Sequence, residues 1–232
     1  MENITFEAVK QLLDSEIVRL QRVLEVEVEI PYKLNVENSG VSSISKRWFG
    51  RGYKINLGIH TDNMEHMVAR TAGYIMATPA RKYHCLPACE LYEDVFAYLN
   101  GLRCGYDTQD KNIIESETWK ATRAGVHIKE LEQELKNNVN LWDCRNIVIK
   151  GSDRVNMDIG TLHAYGLIHL ALESGLGTSE EIDMFMKSLC QRNEGMATPG
   201  FKALVPDYML SEIAYFRSEP LRVKENLGKS HR

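Results

Sequence analysis

No apolar run in the chain reaches the roughly 18 consecutive residues that a membrane helix needs, so a membrane-spanning protein is not expected. Cysteine is sparse. Five of them, an odd number at irregular spacing, do not make a disulfide framework and point to a reducing compartment. Charge of one sign is also lacking. A net charge of −4 gives no long-range attraction for nucleic acid or acidic lipid, so any such contact requires a local patch. The start, MENITFEAVKQ, has acidic residues and no apolar core before a cleavage site, and is not expected to be a signal peptide. There is no P-loop, no G-x-G-x-x-G after a strand, no G-x-S-x-G, no internal repeat and no low-complexity tract. What remains is a 232-residue chain with 44% hydrophobic and 26% charged residues, the balance of a soluble cytoplasmic protein of one large or two small domains.

The periodicities predict an α+β fold. Ile4, Ala8, Leu12, Leu13, Ile17, Leu20 and Leu24 recur at helical spacing over residues 4–24. Val26, Val28 and Ile30 then alternate with Glu25, Glu27 and Glu29, as in a strand with one wet face, and Pro31 marks its end or an edge. NVENSGVSS reads as turn, and Tyr53, Ile55, Leu57 and Ile59 read as a second strand, giving a small antiparallel pair. Asp62 with Glu65, or Thr61, caps a helix that Thr78-Pro79 is expected to stop. A further helix over 88–101 follows Pro87 and ends at Gly101. Beyond it are a charged helical stretch interrupted by Gly125, a strand in CRNIVIK, a loop at GSDRVNMD and a helix IGTLHAYGLIHLALESG. Thr178 and Glu181 form a capping box ahead of Ile182, Phe185, Met186 and Leu189, and a last helix ends near Arg217. The expected architecture is a small antiparallel sheet packed by helices over residues 1–140, with a mostly helical subdomain over 141–232. The boundary falls between 137 and 152.

Chemistry concentrates between Lys46 and Gly101. Lys46, Arg47, Trp48, Phe49, Gly50, Arg51, Gly52, Tyr53 and Lys54 hold four cations, three aromatics and two glycines in nine residues. The cations suit phosphates, the flat rings suit stacked bases, and the glycines would let backbone approach a ligand. Lys46, Arg47, Trp48, Arg51, Tyr53 and Lys54 are therefore the candidate nucleic-acid-binding residues. The alternative is a solvated hairpin loop whose aromatics fold inward.

Asp62 and His66 are one helical turn apart and could share a metal, with Glu90 or Glu93 as a further ligand. The order of strand, helix and then a helix bearing ELYEDVFAYL is similar to that of small zinc metallopeptidases. That resemblance implies a metal-dependent hydrolase. The chain has no His-Glu-x-x-His, and its positional equivalents, Asp62 to His66 or Arg70 to Tyr74, lack the general base or the ligands. The resemblance then implies a degenerate, binding-only domain. His84, Cys85, Cys89 and Cys104 are a second zinc candidate without the tight C-x-x-C pairing of structural sites. His163 and His169, six apart on an apolar helix, do not face the same way. The helix-turn-helix spacing of ALESGLGTSEEIDMFMKSL carries Glu180, Glu181 and Asp183 where phosphates would be met, so a plain helical hairpin is expected. The leading expectation is a non-catalytic binding or regulatory protein that contacts nucleic acid or another polyanion through residues 46–54. The rivals are the hydrolase and a structural or assembly protein with a protein partner.

Overall fold

The structure, a computed structural model, describes residues 5–37, 42–46, 52–58, 63–84, 91–137, 148–150 and 156–191, with four further positions between 210 and 217. The elements run α1 Phe6–Leu24, β1 Tyr32–Glu37, β2 Ser43–Lys46, β3 Tyr53–Gly58, α2 Met64–His84, α3 Leu91–Thr108, α4 Lys111–Val126, α5 Ile128–Asn137, β4 Val148–Lys150, β5 Asn156–Asp158, α6 Ile159–Glu173 and α7 Ser179–Gln191. This is an α+β protein in which helices pack on a small sheet. No described helix is long and apolar enough to cross a membrane.

The sheet is mixed rather than antiparallel throughout. Its order is β1-β3-β2, with β1 parallel to β3 and β2 antiparallel to it. The strand expected over Val26–Ile30 is displaced to β1, and part of the expected turn NVENSGVSS is β1 and β2. The reason lies in the register. Tyr32 stands opposite Tyr53, so residues before Tyr32 would have to face the stretch before Tyr53, which is the connection from β2. Gly52 makes that start possible. Its φ is +118°, and a Cβ there would lie 2.0 Å from the Pro31 carbonyl oxygen, beside which the Tyr53 amide donates to the same oxygen at 3.0 Å.

The helix expected to stop at Thr78-Pro79 runs through Pro79 to His84. Proline removes the amide that would bond the Ile75 carbonyl. The Tyr53 hydroxyl, whose one proton goes to Thr78 Oγ1 at 2.6 Å, has that carbonyl oxygen as a longer, secondary acceptor at 3.3 Å, so a polar group from the sheet stands at the broken turn. Nor does α3 end at Gly101. Gly73 packs against the Phe96 carbonyl, where an added Cβ would stand 2.3 Å away, and Gly101 makes room for Arg70 and His66. α2 and α3 are thus an antiparallel pair held at glycine distance. Gly125 also lies inside a helix, against the His169 ring, and the chain breaks after it, at His127. The loop expected at GSDRVNMD contributes β5, which pairs antiparallel with β4.

A single buried cluster joins Val9, Leu13 and Leu20 of α1, Ile55 and Leu57 of β3, Ile75 of α2, Phe96 of α3, Ile168 of α6 and Phe185 of α7. Half of the capping box expected at Thr178 forms: the Glu181 amide donates to Thr178 Oγ1 at 3.2 Å, while the Glu181 carboxylate reaches one residue further back and accepts from the Gly177 amide at 2.8 Å.

Candidate functional site

The pleat sorts the side chains of the three-stranded sheet by parity. Tyr53, Ile55 and Leu57 are buried, and across from them Leu34, Val36 and Ile44 pack on the core. The other face carries Lys33, Asn35 and Glu37 on β1, Lys54 and Asn56 on β3, and Ser43 and Ser45 on β2. The pairing aligns Lys33 with Lys54 and Ser45 in one row, and Asn35 with Asn56 and Ser43 in the next. This face is polar, lines a shallow concavity of about 530 Å³ and is unlike the apolar inner face. Asn56 donates to Ser43 Oγ at 3.0 Å, and Asn35 donates to Glu37 at 2.7 Å, which places the face's one acid at the end away from the lysines. Neither Lys33 nor Lys54 has an ion-pair partner among the described residues.

Of the candidate nucleic-acid residues, the structure describes Lys46, Tyr53 and Lys54; Arg47, Trp48 and Arg51 lie outside the described residues. Only Lys54 of the three is turned to the outer face. Lys46 stands opposite Tyr53, on the inner parity, and its ammonium sits 2.5 Å from the Glu93 carboxylate, which is 1% exposed. Tyr53 is buried against α2 and offers no face for stacking. The structure thus turns Lys46 and Tyr53 into anchors for the end of the hairpin. Glu93 also accepts from the Thr78 hydroxyl at 3.3 Å, and Tyr74 is a further neighbour whose phenol is pushed well above its ordinary range by burial and then by the Glu93 charge. Gly52, read from sequence as backbone space for a ligand, gives that space to Pro31 instead.

Asp62 and Glu90 of the candidate metal set lie outside the described residues. His66 and Glu93 do not meet. His66 Nε2 lies beside Gly101, more than two turns and roughly 12 Å along α3 from Glu93. His66 faces Glu117 instead, at 3.7 Å. Glu117 is fully buried and accepts from Lys120 Nζ and from the Tyr165 hydroxyl, both at 2.8 Å. Burial pulls the His66 pKa down, and the nearby Arg70 and Lys120 charges add to that while Glu117 opposes it, so its ring is neutral at neutral pH. No three His, Cys, Asp or Glu side chains converge on a metal-sized site among the described residues. Cys85 and Cys89 of the other zinc candidate also lie outside them. Cys104 is a buried free thiol pushed up to about 11 by burial. His163 packs edge-on against Tyr92, with ring centres 6.1 Å apart, and His169 packs against Gly125, so the two point to different neighbours.

Sequence reasoning missed two groups. Lys33 alternates with Leu34 and Val36 in YKLNVE, and that alternation was the available signal once the strand is placed after Pro31. Glu117 sits at the apolar spacing of Ile113, Ala121 and Ala124, which marks it as an inward charge.

No protein-family model, no curated protein and no solved structure matches the chain.

Proposed function

We propose that the chain is a non-catalytic binding protein that holds a single-stranded nucleic acid against the outer face of its three-stranded sheet. The observation that carries this reading is the side-by-side register of Lys33 and Lys54 on the open face. Two like charges on adjacent strands destabilise a sheet unless a counter-charge lies over them, and a phosphate backbone supplies one. Asn35, Asn56, Ser43 and Ser45 add hydrogen-bonding groups of no fixed sequence preference along the same face. β2 ends at Lys46 and β3 begins at Tyr53, so these two strand ends lie beside the row that holds Lys33 and Lys54. Arg47, Trp48 and Arg51, which lie outside the described residues, add two cations and an aromatic ring to this stretch of the sequence, the residue types that suit phosphates and stacked bases.

The test is fluorescence anisotropy of a labelled oligothymidylate at low salt. The Lys33→Ala/Lys54→Ala variant is expected to bind at least tenfold more weakly than the native chain, with an unchanged circular dichroism spectrum. An equal affinity for the native and doubly substituted proteins would remove the sheet face from the proposal.

A further inference from the structure

Residues Val26–Ile30 have the alternation of a strand, and the structure leaves them without one. Val26 is buried, Val28 and Ile30 pack on the core, and Glu27 and Glu29 are exposed, the two-residue period of an extended chain. The segment is in no ladder. Val26 donates to the Gln21 carbonyl and the Val28 carbonyl accepts from the Gln21 side chain, but Glu27, Val28, Glu29 and Ile30 make no backbone-to-backbone hydrogen bond among the described residues. Beside them runs a groove of about 780 Å³, with Val18, Gln21 and Arg22 of α1 on its other wall. Val18 is 43% exposed there. Backbone donors and acceptors outside any ladder, in a segment whose burial alternates every second residue, next to a half-covered apolar wall are the ingredients of strand addition.

We infer that this groove binds an extended peptide in which Lys or Arg alternates with apolar residues, added as a strand along Val26–Ile30. Charge decides the occupant. Glu27 and Glu29 project on one side of the segment, and a paired strand places its own side chains directly opposite, where cations are favoured. Glu25, the left-handed cap of α1 just before the segment, is bridged by Lys187 of α7 at 2.6 Å, so an acid at this end of the groove already takes one lysine from within the chain. Among the described residues Arg22 is the single cation on the wall, against the acids Glu25, Glu27 and Glu29. A second copy of this chain is a poor occupant. Antiparallel self-pairing centred on Val28 sets Glu27 against Glu29 in both copies, and a one-residue slip sets each glutamate opposite a valine. The apolar residues of the added strand lie over Val18 and Val28. The site is separate from the lysine-bearing sheet face and takes a partner of opposite charge.

The test uses the full chain and a short fluorescent peptide of alternating lysine and valine, read by anisotropy. Saturable binding is expected, weakened at least tenfold in the Glu27→Lys/Glu29→Lys variant. Methylating the peptide amides on one edge only is expected to abolish binding, because strand addition depends on main-chain hydrogen bonds; methylating those on the other edge is expected to leave it intact. Glu27→Gln/Glu29→Gln, which alters only exposed side chains, keeps the test independent of folding and is expected to weaken binding by a smaller factor. Absence of saturable binding, affinity unchanged in the charge-reversed variant, or equal binding of both edge-methylated peptides would each overturn the inference. A dimer of the native chain that dissociates on Glu29→Pro would overturn it too, by making a second copy the occupant.

Discussion

The hydroxyl of Tyr53 lies 3.3 Å from the carbonyl oxygen of Ile75, the one acceptor in α2 that Pro79 deprives of its amide. Its proton goes first to Thr78 Oγ1 at 2.6 Å, so a sheet residue only partly offsets the lost bond, and the same ring carries the first row of β3. The contact joins the three-stranded sheet to the helical pair behind it.

Tyr53→Phe removes the donor to Thr78 Oγ1 and the weaker contact to the Ile75 carbonyl, at an expected cost of about 1–3 kcal/mol. Pro79→Ala restores the amide to Ile75. In the double variant the Tyr53→Phe cost is expected to fall by about 1 kcal/mol, a coupling that urea denaturation of the four proteins measures. Additive effects would mean that the contact carries no stability.

Lys46 and Glu93 form a bridge with one half-exposed and one buried end. Lys46→Met strands the carboxylate, which keeps Thr78 as a donor, and is expected to cost roughly 2 kcal/mol. Glu93→Gln in the same background is expected to recover most of that loss. Thermal unfolding of the single and double variants reads the difference.

The α2–α3 contact depends on Gly73, where an added Cβ meets the Phe96 carbonyl at 2.3 Å. Gly73→Ala is expected to cost about 2–3 kcal/mol by forcing the two helices apart. Gly166 in α6 is the control, since its nearest neighbour would be 3.5 Å away, an ordinary contact. Gly166→Ala is expected to be neutral or to stabilise by up to about 1 kcal/mol. Chemical denaturation of both variants distinguishes a close approach from a generic helical glycine.

Glu16 links three elements: it accepts from Arg19 in its own helix and from Asn100 and Arg103 in α3, and Arg19 also clasps Asp183 of α7 at 2.6 and 2.7 Å. Burial pushes the Glu16 carboxyl up, but the Arg19 hydrogen bond and charge, with Arg103 and Asn100, hold it below its ordinary 4.5. A depressed folded-state value means that its stabilising share is fully present above 4.5 and is lost as pH falls through the folded value. Glu16→Gln is expected to lower stability at neutral pH by about 1–3 kcal/mol and to flatten the acid limb of the stability curve. An acid limb of unchanged slope would contradict that role.

The α+β class and most helices were legible because their apolar spacing is regular: Leu13, Ile17, Leu20 and Leu24 in α1, and Ile182, Phe185, Met186 and Leu189 in α7, are all buried. The errors share one cause, which is that local signals were answered by distant residues. Pro79 signals a helix end, yet the helix runs on, with a hydroxyl from β3 standing at the broken turn. Gly101 and Gly125 signal breaks, and side chains from other helices occupy the space they leave. The Val26–Ile30 alternation signals a strand, but the register of β3 gives it nothing to pair with. The candidate face was legible in part. Lys54 stood in a conspicuous basic-aromatic run, whereas Lys33 is paired with it by a parallel register that no local pattern encodes. The same register turns Lys46 and Tyr53 inward.

The most direct measurement of the central claim is the salt dependence of oligothymidylate binding by the native chain and by the Lys33→Ala/Lys54→Ala variant. Each phosphate contact on a single strand contributes a slope of about −0.7 to log K against log salt. Loss of two contacts is expected to make the variant's slope shallower by roughly 1.4 and its low-salt affinity correspondingly weaker. Binding by both proteins with the same slope and affinity, or no salt-dependent binding by the native chain, would contradict a nucleic-acid face on this sheet.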